Sequence, residues 1–356
     1  MSVPSGGMET PLAAEYSSEG ARLEEFEGCL LPATFSDFDQ EYRAAKESVA
    51  IFDTNWLAIL SLSGRDRVKY LHAITSNDIK GLGEGYGRLA LLLNPQGRIQ
   101  AELEIYALAE SLLVLTHAAF RERTVATLKK FVIGSQVVVE DQTEKMGSLA
   151  IEGPRAAAVF SQKTGLALSG FSEFAIAQHE IDGVPCFLVR RSHFGGEGVQ
   201  IVAPREPLKV LWKDLERSVH ALGGRPIGMK ALNALRLEAN VPRFPSDFND
   251  GMIPHEAVLE NTHISFTKGC YTGQEIVERV RSRGHVNRKR VSLQFSSAEP
   301  PASGTKLKAG DAEVGFVTSA AYSPQLGSAI GIGYLRREHT EPGSTVHLDG
   351  GTATVR

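Results

Sequence analysis

Lys268-Gly269-Cys270-Tyr271-Thr272-Gly273-Gln274-Glu275 brings a thiol, an amine, two glycines and an acid together in one short stretch. A cysteine is chemically active as its thiolate, which nearby cations and a helix N-terminus favour. Lys268 stands two residues from Cys270, and Gly273 to Val277 can open a helix. The competing reading is a buried, inert cysteine. Downstream runs a basic segment holding Arg279, Arg281, Arg283, Arg288, Lys289 and Arg290. Alternation at 279, 281 and 283 would line up three guanidiniums on one side of an extended segment. Their forks suit carboxylates and phosphates; a solvated linker is the alternative. Upstream, Leu235-Arg236-Leu237-Glu238-Ala239-Asn240 closes a helix expected over 226–239, with Ile227, Leu232 and Leu235 on one face. Asn240 takes the left-handed stop position. Glu238 then lies in the last turn, where the helix dipole disfavours a carboxylate, so it calls for a partner.

Working back through the chain, the spacing predicts a helix near 40–48, strands at Ile51-Phe52-Asp53 and 57–62, and a helix over 64–74. Leu89 to Leu93, the turn Asn94-Pro95-Gln96-Gly97 and the run 99–106 form a meander. In that run Ile99, Ala101, Leu103 and Ile105 alternate with Gln100, Glu102, Glu104 and Tyr106, which predicts one buried and one wet face. A helix over 120–133, strands at 137–140 and 149–152, a helix opened by Gly153-Pro154, and strands at 173–181, 184–191 and 199–203 follow. His193 to Gly198 is a glycine-rich loop matching no phosphate-binding pattern. Residues 205–222 carry Leu208, Leu211, Trp212, Leu215, Val219 and Leu222 at helical spacing, with Gly223 as the stop. The order strand, helix, several strands, helix occurs twice. From residue 291 short strands and turns read as a small β-barrel.

At 356 residues the chain exceeds a single small core. The expected organisation is a disordered tail over 1–22, an α+β region over 23–285 in two subdomains divided near 140–150, and a barrel over 286–356. A net charge of -4 argues against general nucleic-acid binding, so any polyanion site is a local patch. No apolar run is long enough to span a membrane. Three scattered cysteines without a C-x-x-C pair indicate neither a disulfide framework nor a zinc site, and a cytoplasmic setting is expected.

The motif at 268–275 resembles the K-G-C-Y/F-x-G-Q-E signature of YgfZ-type folate-binding proteins, relatives of the glycine-cleavage T-protein. Arg43-Ala44, Ile51-Phe52-Asp53, Leu93 to Gly97, Gly153-Pro154, Leu235 to Ala239, Val317-Thr318-Ser319 and Ser323-Pro324 resemble that superfamily's other patterns. The resemblance implies two ferredoxin-like α+β parts around a folate cavity, with a small C-terminal barrel. It implies tetrahydrofolate or a one-carbon derivative as cofactor. Glu238 would hold the pterin, Arg279, Arg281 and Arg283 the glutamate tail, and Gln274 would be a further contact. It gives Cys270, with Lys268, the reactive role, and iron–sulfur proteins or their assembly machinery as partners. Two departures concern the related aminomethyltransferase. Ala101-Glu102 replaces two adjacent acids, the first catalytic, and Glu102 is expected to face away from the ligand. Gln200 stands where many T-proteins have Glu. Folate-dependent aminomethyl transfer is therefore the alternative, and an RNA-binding module the weakest reading.

Overall fold

The structure, a computed structural model, describes residues 7–132 and 134–356; the side chain of Arg283 lies outside the described residues. The chain begins with β1 (Met8–Glu9), α1 (Ala13–Ser18), β2 (Arg22–Phe26), β3 (Cys29–Thr34) and α2 (Phe38–Glu47). Next come β4 (Ala50–Asp53), β5 (Leu57–Ser63), α3 (Arg67–Ile74), β6 (Gly87–Leu93), β7 (Ile99–Ala107), β8 (Ser111–His117), α4 (Arg121–Lys130) and β9 (Val138–Asp141). A second run follows: β10 (Met146–Glu152), α5 (Ala156–Thr164), β11 (Ile176–Ile181), β12 (Val184–Arg190), β13 (Gly198–Pro204), α6 (Arg205–Ala221), β14 (Arg225–Pro226) and α7 (Met229–Glu238). After the short α8 (Glu260–His263) and α9 (Gln274–Arg283) come β15 (Arg288–Phe295), β16 (Lys306–Ala309), β17 (Ala312–Ser323), β18 (Ser328–Arg336), β19 (Thr345–Leu348) and β20 (Gly351–Val355).

The strands β6-β7-β8-β5-β9 form the first sheet, and β11-β12-β13-β10-β4-β14 the second. Both follow the same strand–helix–three strands–helix–strand path. The exception is β4, which inserts beside β10 in the second sheet although it precedes the first. Helices α3 and α4 cover the first sheet through Tyr70, Leu71 and Leu128. Helices α5 and α6 cover the second; the 3.6-residue spacing of Leu208, Leu211, Trp212, Leu215 and Val219 buries all five side chains. Between the two sheets Ile59, Tyr106, Leu115, Val189 and Val202 pack together. The third part is a closed six-stranded barrel, ordered β15-β18-β17-β16-β19-β20.

Within the expected tail, residues 1–6 lie outside the described residues, and the expectation is overturned for 7–22. There β1 and β2 pair with β3, and Leu12 and Tyr16 are fully buried in the core of the second sheet. Asp53 explains the anchoring: its buried carboxylate accepts from Thr10 and from Tyr16 Oη at 2.9 Å. A composition rich in Ser, Gly and Glu concealed two apolar anchors.

Two polar clasps attach the barrel. Arg236 on α7 forms a buried ion pair with Asp247, whose other oxygen accepts from Thr318 Oγ1 (2.6 Å) and Ser319 Oγ (2.7 Å). A β-bulge at Thr318 turns these two consecutive hydroxyls toward the same acceptor. In the second clasp, Glu238 accepts from Tyr42 Oη at 2.7 Å and Ser323 Oγ at 2.5 Å, and pairs with Lys46 at 3.2 Å. This is the partner that the dipole argument demanded.

Candidate functional site

The face of β7 expected to be wet lies inside the molecule: Glu104 and Tyr106 are buried, and Gln100 and Glu102 partly so. Glu102 and Glu104 line a central cavity enclosing about 610 Å³ of empty space counted to its open mouth. Trp56, His117, Arg191, His193, Arg236, Arg243 and Phe244 complete the walls. The opposite face of β7, with Ala101, Leu103 and Ile105, packs beneath α3 and α4. The expectation that Glu102 faces away from the ligand side is therefore overturned. Ala101 points into the helix-covered core, and Glu102 is the member of the pair that reaches the cavity.

Each cavity group is held in place. Glu102 Oε1 is 2.9 Å from His263 Nε2, and His263 Nδ1 is 2.7 Å from Thr262 Oγ1. Glu104 pairs with Arg191 Nε at 3.0 Å and accepts from Tyr106 Oη at 2.8 Å. Arg191 is buried, which disfavours its charge, but Glu104, Tyr106 and Glu102 together outweigh this and hold it protonated. His193 is pushed well below the usual imidazole range, first by burial and then by Arg191 and Arg243, so it is neutral. Burial draws Arg243 down to about 10, with Glu27 opposing, and its guanidinium lies 5.0 Å over the Trp56 ring.

The glycine-rich loop at 193–198 carries His193 into this wall because Glu152 gathers its backbone. Glu152, at the end of β10, accepts from the amides of His193 (2.6 Å), Phe194 (3.0 Å) and Gly196 (2.8 Å), and from Ser192 Oγ (2.7 Å). Gln200 on β13 adjoins His193. Both amide atoms of Gln200 and Nε2 of His193 are buried with no hydrogen-bond partner of regular geometry among the described residues. Such groups cost about 1–3 kcal/mol each when left unpaired; of the two residues, His193 lines the cavity and Gln200 does not.

The residues singled out from the sequence lie elsewhere. None of Cys270, Lys268, Glu238, Gln274, Arg279 and Arg281 lines the central cavity. Glu238 has its carboxylate engaged by the barrel clasp, through Tyr42, Ser323 and Lys46. Arg279 and Arg281 lie on helix α9, not on an extended segment, and residues two apart on a helix point to different sides. Arg279 pairs with Glu275 at 2.6 Å; Arg281 pairs with Glu278 at 3.6 Å and stacks 4.3 Å over Phe266. Lys268 is engaged by backbone carbonyls and an aromatic ring. It donates to the carbonyls of His72 and Thr75 at the end of α3 and lies 4.7 Å over the Tyr271 ring; burial lowers it to about 8.

Cys270 is exposed, whereas Cys29 and Cys186 are buried. Its loop is seated by Gly273. A Cβ there would come within 2.6 Å of Asn94 O and 3.0 Å of Leu93 Cβ, in a backbone with φ of +84°. The motif thus docks on the Asn94–Gly97 turn, and only part of it faces solvent. Trp56, Arg191, His193 and Arg243 were missed as site residues. The available signals were the acids on alternate positions of β7 and the glycine-rich loop; their meeting depends on contacts between sheets.

Comparison with known proteins gives a consistent picture. The GCVT N-terminal domain model matches residues 12–268, and the glycine cleavage T-protein C-terminal barrel domain matches 288–355. Relatives named aminomethyltransferase include one from Staphylococcus epidermidis, 28% identical over 95% of this chain and 93% of its own. Another, from Bacillus subtilis, is 26% identical over 96% and 94%. The solved glycine cleavage system aminomethyltransferase T from Bartonella henselae has the same fold, with a TM-score of 0.89 at 23% identity, covering 98% of this chain and 96% of that one.

Proposed function

Because the chain belongs to the glycine cleavage T-protein family, we propose that its central cavity binds tetrahydrofolate or a one-carbon derivative, with the pterin innermost. The carrying observation is the convergence of Glu102, Glu104, Arg191 and the neutral His193, whose Nε2 is buried, on one cavity. A pterin edge presents adjacent N–H donors and ring acceptors, which this mixture can pair. Glu102 and Glu104 offer carboxylate oxygens, Arg191 donors, and neutral His193, with Gln200 beside it, a ring nitrogen. Trp56 and Phe244 supply apolar wall. Tetrahydrofolate would bring the nitrogen that accepts or carries a one-carbon unit; the chain orients it and keeps water away.

Two readings of the activity separate here. The names of the relatives support transfer of an aminomethyl carbon to tetrahydrofolate, and Glu102, which lines the cavity and is held by the buried His263 outside it, supplies an acid–base group for it. The second reading rests on Cys270. Its exposed thiol in a K-G-C-Y-T-G-Q-E stretch supports a YgfZ-type folate-binding accessory protein for iron–sulfur cluster assembly or repair.

Titration with tetrahydrofolate and its methylene and formyl forms tests the common premise. Saturable binding that weakens at least tenfold in both His193→Ala and Glu102→Ala is expected. Absence of binding by the intact protein removes the proposal. Release of ammonia and methylene-folate from an aminomethyl-lipoyl donor selects the first reading. Restoration of iron–sulfur enzyme activity in a deficient strain by the intact protein, but not by Cys270→Ser, selects the second.

A further inference from the structure

The basic segment at 279–290 is largely neutralised within the fold: Arg279, Arg281 and Arg288 pair with Glu275, Glu278 and Glu256. Uncompensated arginines gather on a different face. Arg43 on α2, Arg155 ahead of α5 and Arg225 on β14 line one surface depression of about 630 Å³, counted to its open mouth. No carboxylate lies within ion-pair distance of any of the three among the described residues. We propose that this depression binds a phosphate monoester.

The charge balance favours that class of ligand. Three guanidiniums share the depression with Glu47, the one acid among the lining residues, giving the lining a charge of about +2; the buried Glu41 also acts on Arg225 but lies outside the lining. A phosphate monoester carries about −1.5 to −2 at neutral pH and three acceptor oxygens, matching both the charge and the forked donors. The remaining groups do not oppose it. The carbonyl of Leu222, at the negative end of α6, is already occupied by Ser48 Oγ at 2.7 Å and Arg155 Nη1 at 3.2 Å. Arg225 is preset: Nη1 donates to Gln40 Oε1 at 2.6 Å, while its buried Nε has no partner. The site shares no lining residue with the central cavity, so it stands independently of folate binding.

Calorimetric titration of the whole protein with phenyl phosphate at low salt tests the proposal. Saturable binding in the range of about 1 mM or tighter is expected. Arg43→Ala and Arg155→Ala alter exposed side chains and should each weaken it at least tenfold. Glu47→Gln should strengthen it severalfold, a magnitude that screened attraction to a site elsewhere would not produce. Glutarate, with two separated carboxylates, should bind at least tenfold more weakly. The proposal is overturned by absence of saturable binding below about 10 mM, by unchanged affinity in both arginine variants, or by equal affinity for glutarate.

Discussion

Replacing Asp247 with Ala should be among the most damaging single changes in the molecule. The Asp247 side chain is fully buried and that of its partner Arg236 is 2% exposed. Breaking a buried ion pair from one side costs about 3–5 kcal/mol, because the remaining charge has nowhere to go. Arg236 retains Asn233 Oδ1 at 2.8 Å and Val241 O at 3.2 Å, which moderates the loss. Thr318 Oγ1 retains the carbonyl of Ile332 at 3.0 Å, whereas Ser319 Oγ is stranded and adds about 1–3 kcal/mol. The two together, about 4–8 kcal/mol before that moderation, are a large share of the 5–15 kcal/mol typical of a folded protein. Urea unfolding followed by tryptophan fluorescence would measure it. Limited proteolysis across the Arg283–Arg288 connection would show the barrel loosening first. Removing both charges in Arg236→Met/Asp247→Ala should recover at least 1 kcal/mol over the single variant. A loss below about 1 kcal/mol in Asp247→Ala would refute the clasp as an energetic feature.

Acid should expose a second dependence. Burial opposes the charge of Glu27, but the hydrogen bond from His117 and the charge of Arg243 outweigh it and hold the carboxyl at about 2, against 4.5 ordinarily. Its folded pKa is depressed, so its stabilisation is complete above pH 4.5 and is lost as pH falls toward 2. That contribution is roughly 3 kcal/mol at neutral pH. Glu27→Gln should flatten the stability profile across this window, and an unchanged profile would contradict the assignment. Gly273→Ala forces a Cβ against Asn94 O in a left-handed backbone and should cost at least about 2 kcal/mol. It should also change the rate at which a thiol reagent labels Cys270, which is expected to be the one cysteine modified in the native protein.

Much of the fold could be read from periodicity. Leu208 to Val219 buried as expected, Asn240 adopts a positive φ of 54°, and the barrel strands run from Arg288 to Val355. The alternation on β7 was equally clear; what it meant was not. Period two says that one face is polar, and only the packing of a second sheet against it makes that face a cavity wall. Glu238 shows the same limit. The dipole argument asked for a partner, but Tyr42 and Ser323 lie 196 and 85 residues away, on elements that only the tertiary fold brings together. The arginines at 279–283 were misread because charged residues disguise a helix when its apolar contacts are few. Val277 is the member of α9 that enters the core. Arg43, Arg155 and Arg225, far apart in the chain, carried no local signal at all.

The bulge at Thr318 has a cost within the barrel itself. A regular strand shows alternate residues to the same side, so it could offer Asp247 one hydroxyl and would turn the next one away. Presenting two in a row omits one rung of the β17–β18 ladder, between the pairs Val317–Gly333 and Ser319–Ile332. Deleting a single residue here would regularise the strand and strip its docking face in the same stroke. At this position the closure of the barrel and its attachment to the rest of the chain compete, and the irregular strand records which of the two prevailed.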